Sequence, residues 1–359
     1  MALKSNIQYF LGANSPSGFY SLYSDMLPLE EARAIYILKG GPGCGKSTLM
    51  RAVAKRAEEA GLRTEYTLCS GDPDSLDALI LPQLKVAVLD GTAPHPMEAR
   101  CPGAVERYVN LGDCYDSSAL YPIRYAIMAA KAGYQESYRR AYRCLEASAQ
   151  LFEDARAPLV TQELLDKLHK RAKGILSREL PPIKGAQPGR VTQRFLHTPT
   201  CQGIVSLWDT VYAQCPKVYQ LADSSSLGHE LLIHLLTGAV EGGYSPVACP
   251  DPMCPDRLSH LLVPEAGVAF LTASKPLPQE PYRRLRLDAM VDREVLDHNK
   301  ARLKFSRRVS DALLDETLAS LSEAKAGHDQ LEALYYPHVD FDRVDAFTRQ
   351  VGDEILSFA

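Results

Sequence analysis

The fold this sequence predicts is α/β, in two tandem copies that each end in an appended helical hairpin, and three observations carry it. A glycine-rich segment at residues 40–45 separates an apolar, strand-like run (Ala34, Ile35, Tyr36, Ile37, Leu38) from an amphipathic helical run at Leu49, Met50, Val53, Ala54 and Ala57. The surroundings of that segment recur in the second half at nearly constant spacing. Each half then closes with long apolar runs at helical spacing, broken once by a proline, Pro158 or Pro337.

The glycine-rich segment continues into the helix as Gly40, Gly41, Pro42, Gly43, Cys44, Gly45, Lys46, Ser47 and Thr48. Gly-x-x-x-x-Gly-Lys-Ser between a strand and a helix is the spacing of a phosphate-binding P-loop. Glycines let the backbone curl so that successive N–H groups point inward at phosphate oxygens, while the following helix offers its positive end to the same anion. In this reading all nine residues hold ATP, Lys46 bridges its β- and γ-phosphates, and the Ser47 hydroxyl holds Mg²⁺. The competing reading is a plain glycine turn capping a helix. Cys44 reads as a small residue filling a loop position, with an oxidation-sensitive thiol as the alternative.

A chain of 359 residues suffices for two domains with their own cores, expected at 1–180 and 191–359 around a Pro- and Gly-rich linker at 181–190. With 46% hydrophobic and 23% charged residues it is not a disordered chain, and a net charge of −4 gives a nucleic-acid-coating surface no support. The nine cysteines form no C-x-x-C pair, which points to reduced thiols in the cytoplasm. No leader-like start and no apolar run of spanning length is present, so a soluble protein without a membrane partner is expected.

Taken in order, two β-prone runs flank Asn14, Ser15, Pro16, Ser17 and Gly18, which read as a tight turn; Asn14 and Gly18 reaching the nucleotide is the other reading. A strand at residues 64–68 follows, then a polar loop and a short helical pattern at Leu76, Leu79 and Ile80. A third strand, Val86 to Leu89, ends in Asp90. An acid at the carboxyl end of an apolar strand downstream of a P-loop is where a second Mg²⁺ ligand sits, so Asp90 is the metal and catalytic candidate beside Ser47 and Lys46. Asp72 and Asp74 compete for that role, with capping of the Leu76 helix as their plainer explanation, and His95 is a candidate for a water or phosphate contact. Along the first helical arm Arg124, Arg139, Arg140 and Arg143 read as a solvated face, with an arginine finger as the sharper alternative.

The duplication is read residue by residue. At an offset of 185, Phe10-Leu11 matches Phe195-Leu196; at 183, Tyr36, Leu38, Gly45 and Leu49 match Tyr219, Leu221, Gly228 and Leu232; at 182, Pro73-Asp74 and Leu89 match Pro255-Asp256 and Leu271. In the arms, Leu145-Glu146 pairs with Leu331-Glu332. On this alignment Asp223 replaces Gly40, His229 replaces Lys46, Glu230 replaces Ser47 and Thr272 replaces Asp90. Added carboxylates repel phosphate and the neutralising lysine is gone, so the second copy is expected to be a degenerate P-loop NTPase-like domain, with a small-ligand pocket at the same place as the alternative.

The chain resembles an uncharacterised bacterial family of duplicated P-loop ATPases. The residues that carry the likeness are 14–19, the P-loop, Cys69-Ser70-Gly71-Asp72-Pro73-Asp74-Ser75, and Asp90-Gly91-Thr92-Ala93-Pro94-His95. The resemblance spans nearly the whole length and implies ATP binding by residues 40–48. Loss of the second lysine is a departure from members that keep two phosphate loops. The expected function is a Mg²⁺-dependent ATPase whose second half is a built-in pseudo-subunit; a small-molecule kinase and a non-hydrolysing nucleotide-sensing scaffold are the alternatives.

Overall fold

The computed structural model describes residues 7–93 and 96–359. The first half runs β1 (Ile7–Tyr9), β2 (Gly12–Ser15), β3 (Gly18–Ser21), β4 (Ala34–Lys39), α1 (Lys46–Glu59), β5 (Glu65–Leu68), β6 (Leu76–Leu81), β7 (Val86–Asp90) and β8 (Glu106–Asn110). A short α2 (Ser117–Leu120) leads to the long α3 (Arg124–Arg156) and, past Pro158, to α4 (Gln162–Glu179). The second half runs β9 (Thr192–Gln193), β10 (His197–Thr200), β11 (Gly203–Ser206), α5 (Trp208–Gln214), β12 (Lys217–Ala222), α6 (Gly228–Glu241), β13 (Val247–Asp251), β14 (Cys254–Val263), β15 (Val268–Thr272), β16 (Arg283–Arg286), α7 (Arg293–Tyr335) and α8 (Phe341–Leu356).

Two similar six-stranded mixed sheets result, ordered β1-β5-β6-β7-β4-β8 and β9-β13-β14-β15-β12-β16. Element for element the orders agree, as a tandem duplication would leave them. In each sheet one strand, β6 or β14, is antiparallel to both its neighbours, and the other pairings are parallel. Alternation along the strands builds two apolar faces. Val218, Leu262, Ala269 and Leu271 join the core shared with the first half, while Tyr219, Leu221, Leu261 and Phe270 face α6.

The halves are locked at a residue and its own copy. Phe10 N–H donates to Phe195 O at 3.0 Å and Phe195 N–H donates to Phe10 O at 2.9 Å, with both rings fully buried. α3 and α7 lie side by side and antiparallel: Ser310 Oγ donates to Ser148 O, Arg140 Nε donates to Ser320 Oγ, and the Tyr134 ring meets His328. Each arm therefore ends beside the other half's strand ends.

The terminal helices are exchanged. Leu164, Leu168, Ala172 and Ile175 of α4 share a core with Leu231, Leu232, Leu235 and Ala239 of α6 in the second half. Val351 and Ile355 of α8 share a core with α1 of the first. At Gly238 a Cβ would stand 2.4 Å from Leu176 Cδ1, so α4 and α6 meet in close approach.

Several expectations change here. Leu76, Leu79 and Ile80 belong to strand β6, not a helix; all six residues of β6 are buried, and a short run buried on both faces carries no period that separates strand from helix. β8 and β16 are further strands beyond the expected set. Each pair of arm helices forms no self-packed hairpin, because α3 pairs with α7 and α4 crosses to α6. The expected linker, residues 181–190, is exposed except at Gly189 and is tied to the end of α6 by two backbone bonds: Ile183 N–H donates to Gly242 O and Gly189 N–H donates to Val240 O. No helix among the described residues is long and apolar enough to cross a membrane.

Leu168 is fully buried in the crossed-over contact of α4 with α6. Leu168→Ala is expected to lower the unfolding free energy by about 2–5 kcal/mol in urea titration. A loss under about 1 kcal/mol would mean that α4 does not bury this face against the second half.

Candidate functional site

β4 is buried along almost its whole length and delivers the chain to the carboxyl edge of the first sheet, between β7 and β8. Its register sets Leu38 beside Asp90, so the last residue of β7 faces the start of the glycine loop. The loop, residues 40–45, turns sharply through Gly43 (φ 72°) and Gly45 (φ 83°), left-handed conformations that cost a side chain strain, and α1 starts at Lys46. Space explains the other glycines. A Cβ on Gly40 would stand 2.6 Å from Cys44 Sγ, and one on Gly41 would stand 2.9 Å from the Tyr115 hydroxyl.

Lys46 Nζ donates to the carbonyls of Gly40 and Gly41, both at 2.8 Å, and stands 3.6 Å from Asp90 Oδ2. Asp90 Oδ1 accepts from the N–H and hydroxyl of Thr92, which fixes the carboxylate's orientation. Ser47 Oγ accepts the N–H of Leu76 at 3.0 Å. The structure thus brings Lys46, Ser47 and Asp90 to one strand edge, with glycines where side chains would fill the cradle. This donor set fits a phosphate with a hard cation: backbone amides and an ammonium for the anion, a hydroxyl and a carboxylate for the metal. Cys44 is buried, and burial raises its thiol pKa, so it fills space and stays protonated.

Other candidates belong elsewhere. Asn14 is a buried strut whose Nδ2 donates to Ser70 O and to Pro199 O of the second half, and Gly18 (φ 100°) makes the β2–β3 turn. Asp72 accepts from Ser75 and pairs with Lys325, and Asp74 accepts from Gln202, so both tie their loop to the second half. Arg124 stacks on Tyr121 and Tyr125, Arg139 and Arg143 pair with Glu136, and Arg140 with Glu316 and Glu323. These partners lie along the arms, not at the glycine loop. His95 lies outside the described residues.

The second half supplies part of the wall. Gly43 N–H donates to Glu332 Oε1 on α7 at 3.2 Å, and a Cβ on Gly45 would stand 3.2 Å from Val344 Cγ1 on α8. From the first half, the Tyr115 hydroxyl donates to Pro42 O at 2.8 Å, and its ring packs on Tyr335. Sequence reading missed Tyr115 because β8 was not recognised ahead of it. No local signal marks Glu332 or Val344, which arrive about 290 residues downstream through the antiparallel arms. The arm register also shifts: Glu332 and Glu153 each stand five residues before their proline, so Glu153, not Glu146, is the counterpart of Glu332.

The second loop is one residue shorter than the first. α1 and α6 are both 14 residues long, and the buried positions Leu49, Met50, Val53 and Ala57 recur as Leu231, Leu232, Leu235 and Ala239, so the offset is already 182 at the helix start. The expected pairing of Lys46 with His229 is therefore corrected. Gly228 replaces Lys46, Glu230 replaces Thr48, and His229 replaces Ser47, accepting the N–H of Leu258 as Ser47 accepts that of Leu76. No cation stands at the lysine position. The amides of this loop are taken by acids: Asp223 accepts from Ser225 N–H at 2.9 Å and from Gly228 N–H at 2.7 Å, and Asp288 accepts from Ser224 N–H. Arg156, at the end of α3, pairs with Glu230 and Glu153, and Arg257 with Glu153.

Comparison with family models, curated proteins and solved structures finds no match to this chain.

Burial pushes the Asp223 carboxyl from 3.8 up to about 6, against its two N–H bonds. The folded state therefore holds this proton more tightly than the unfolded chain does. Its contribution is complete below about pH 4 and lost as pH rises through about 6, a change of up to about 3 kcal/mol. Wild type minus Asp223→Asn is expected to show this slope in unfolding free energy between pH 4 and 7; parallel profiles would contradict it.

Proposed function

We propose that the protein binds ATP with Mg²⁺ at residues 40–48 and hydrolyses it there as a P-loop ATPase, with the second half as a built-in partner that completes the site. The observation that carries this reading is the convergence of the glycine cradle, Lys46, Ser47 and Asp90 at one strand edge, with Lys46 Nζ 3.6 Å from Asp90. The copy that lost the lysine has its loop amides filled by its own acids, which supports a single site. All nine cysteines are unpaired, in keeping with a reducing cytoplasm.

In this reading the amides of the loop and the first turn of α1 bind phosphate oxygens, and Lys46 leaves the Gly40 and Gly41 carbonyls for the phosphate chain. Ser47 and Asp90 would hold Mg²⁺, which neutralises charge on the β- and γ-phosphates. Asp90, oriented by Thr92, would offer this cation a carboxylate from the end of β7. The role of Lys46 is to stabilise charge that develops on the transferred phosphoryl group, a contribution that water cannot match once the site is closed.

Lys46→Ala is expected to weaken ATP binding and turnover by about a hundredfold or more, read by calorimetry and phosphate release. Asp90→Asn should raise the Mg²⁺ concentration needed for half-maximal turnover. Unchanged binding and turnover in Lys46→Ala would sink the proposal.

A further inference from the structure

Every backbone N–H that is to receive a phosphate must be satisfied in some other way before the phosphate arrives. In the second loop the substitute is permanent. Asp223 is a residue of the loop itself, only 5% exposed, and it holds the Ser225 and Gly228 amides at once. In the first loop the Gly43 amide is also held by a carboxylate, but one from the other half, Glu332 on α7, whose side chain is 42% exposed. Oε1 is 3.2 Å from Gly43 N and 4.0 Å from His328 Nδ1. The two loops thus use one device in two forms, one built in and one removable.

We infer that Glu332 is an intramolecular anion plug, which occupies the Gly43 amide in the ligand-free protein and is displaced by the nucleotide's phosphates. This rests on the nucleotide reading of residues 40–48 and adds its regulation. A carboxylate and a phosphate group cannot share one N–H, and like charges a few ångströms apart repel by about 1 kcal/mol or more at a protein surface, so ATP binds against Glu332. α7 is a continuous 43-residue helix that touches both loops, with Glu332 near its end at the first and Arg307, within its body, donating to Ser224 O of the second.

The test is ATP titration with Mg²⁺ of wild type, Glu332→Gln and Glu332→Ala by calorimetry. Both substitutions lie on a half-exposed side chain and remove the charge. Each is expected to tighten ATP binding by about tenfold, the factor that one like charge removed at this range supplies. Affinity equal to or weaker than that of wild type in both variants overturns the plug while leaving ATP binding standing. If none of the three proteins binds ATP, the nucleotide reading fails and the plug falls with it, a result distinct from equal binding by all three.

Discussion

The pair of backbone hydrogen bonds between Phe10 and Phe195 is the constraint from which the rest of the arrangement follows. A residue bonded to its own copy, in both directions, requires the two halves to be related by a local twofold axis, as in an isologous dimer contact. Once that relation holds, the inner faces of the sheets share one core, and the arms that leave each half must run antiparallel. The end of each arm is then carried to the other half's loop. That is why residues from α7 and α8 wall the glycine loop, and why Arg156 from α3 stands at Glu230.

Within this near-symmetric frame the two loops have diverged by a small chemical step. The second loop is one residue shorter and Gly228 stands at the lysine position, beneath the buried Thr272 hydroxyl, which has no hydrogen-bond partner among the described residues. Asp223 then holds the Ser225 and Gly228 amides, and Asp288 the Ser224 amide, that would otherwise face an incoming anion. The frame survives because strand order, the α6 core and the contact with α4 do not depend on loop chemistry.

Around the second loop, ion pairs stand where the first offers a cradle. The hydrogen bond from Arg257 leads in holding the Glu153 carboxyl down at about 2; burial opposes it, and the hydrogen bond and charge of Arg156 add to it. Glu153 is still 45% exposed, so solvent screens much of this interaction. The buried guanidinium of Arg156 is paired with Glu153 and Glu230, which avoids the large cost of an unmatched buried charge. The arm of the first half is thus bonded at the second loop by charges on both sides. At the first loop the arm of the second half places the half-exposed carboxylate of Glu332 on the Gly43 amide.

The sequence by itself determined the α/β class, the duplication, the strand–loop–helix around residues 40–48, and the trio Lys46, Ser47 and Asp90, because these are local patterns of spacing and period. It misread β6, whose six buried residues have no distinguishing period, and it misplaced Lys46's counterpart by one position, since glycine and serine loops align equally well in either register. It also took the arms for self-contained hairpins. Only the tertiary structure decided that α4 and α8 cross over, that Tyr115, Glu332 and Val344 wall the loop, and that Asp223 closes its copy. The physical reason is that amphipathic periodicity specifies which face of a helix is buried but not against what, and the partner here is chosen by the twofold contact at Phe10 and Phe195.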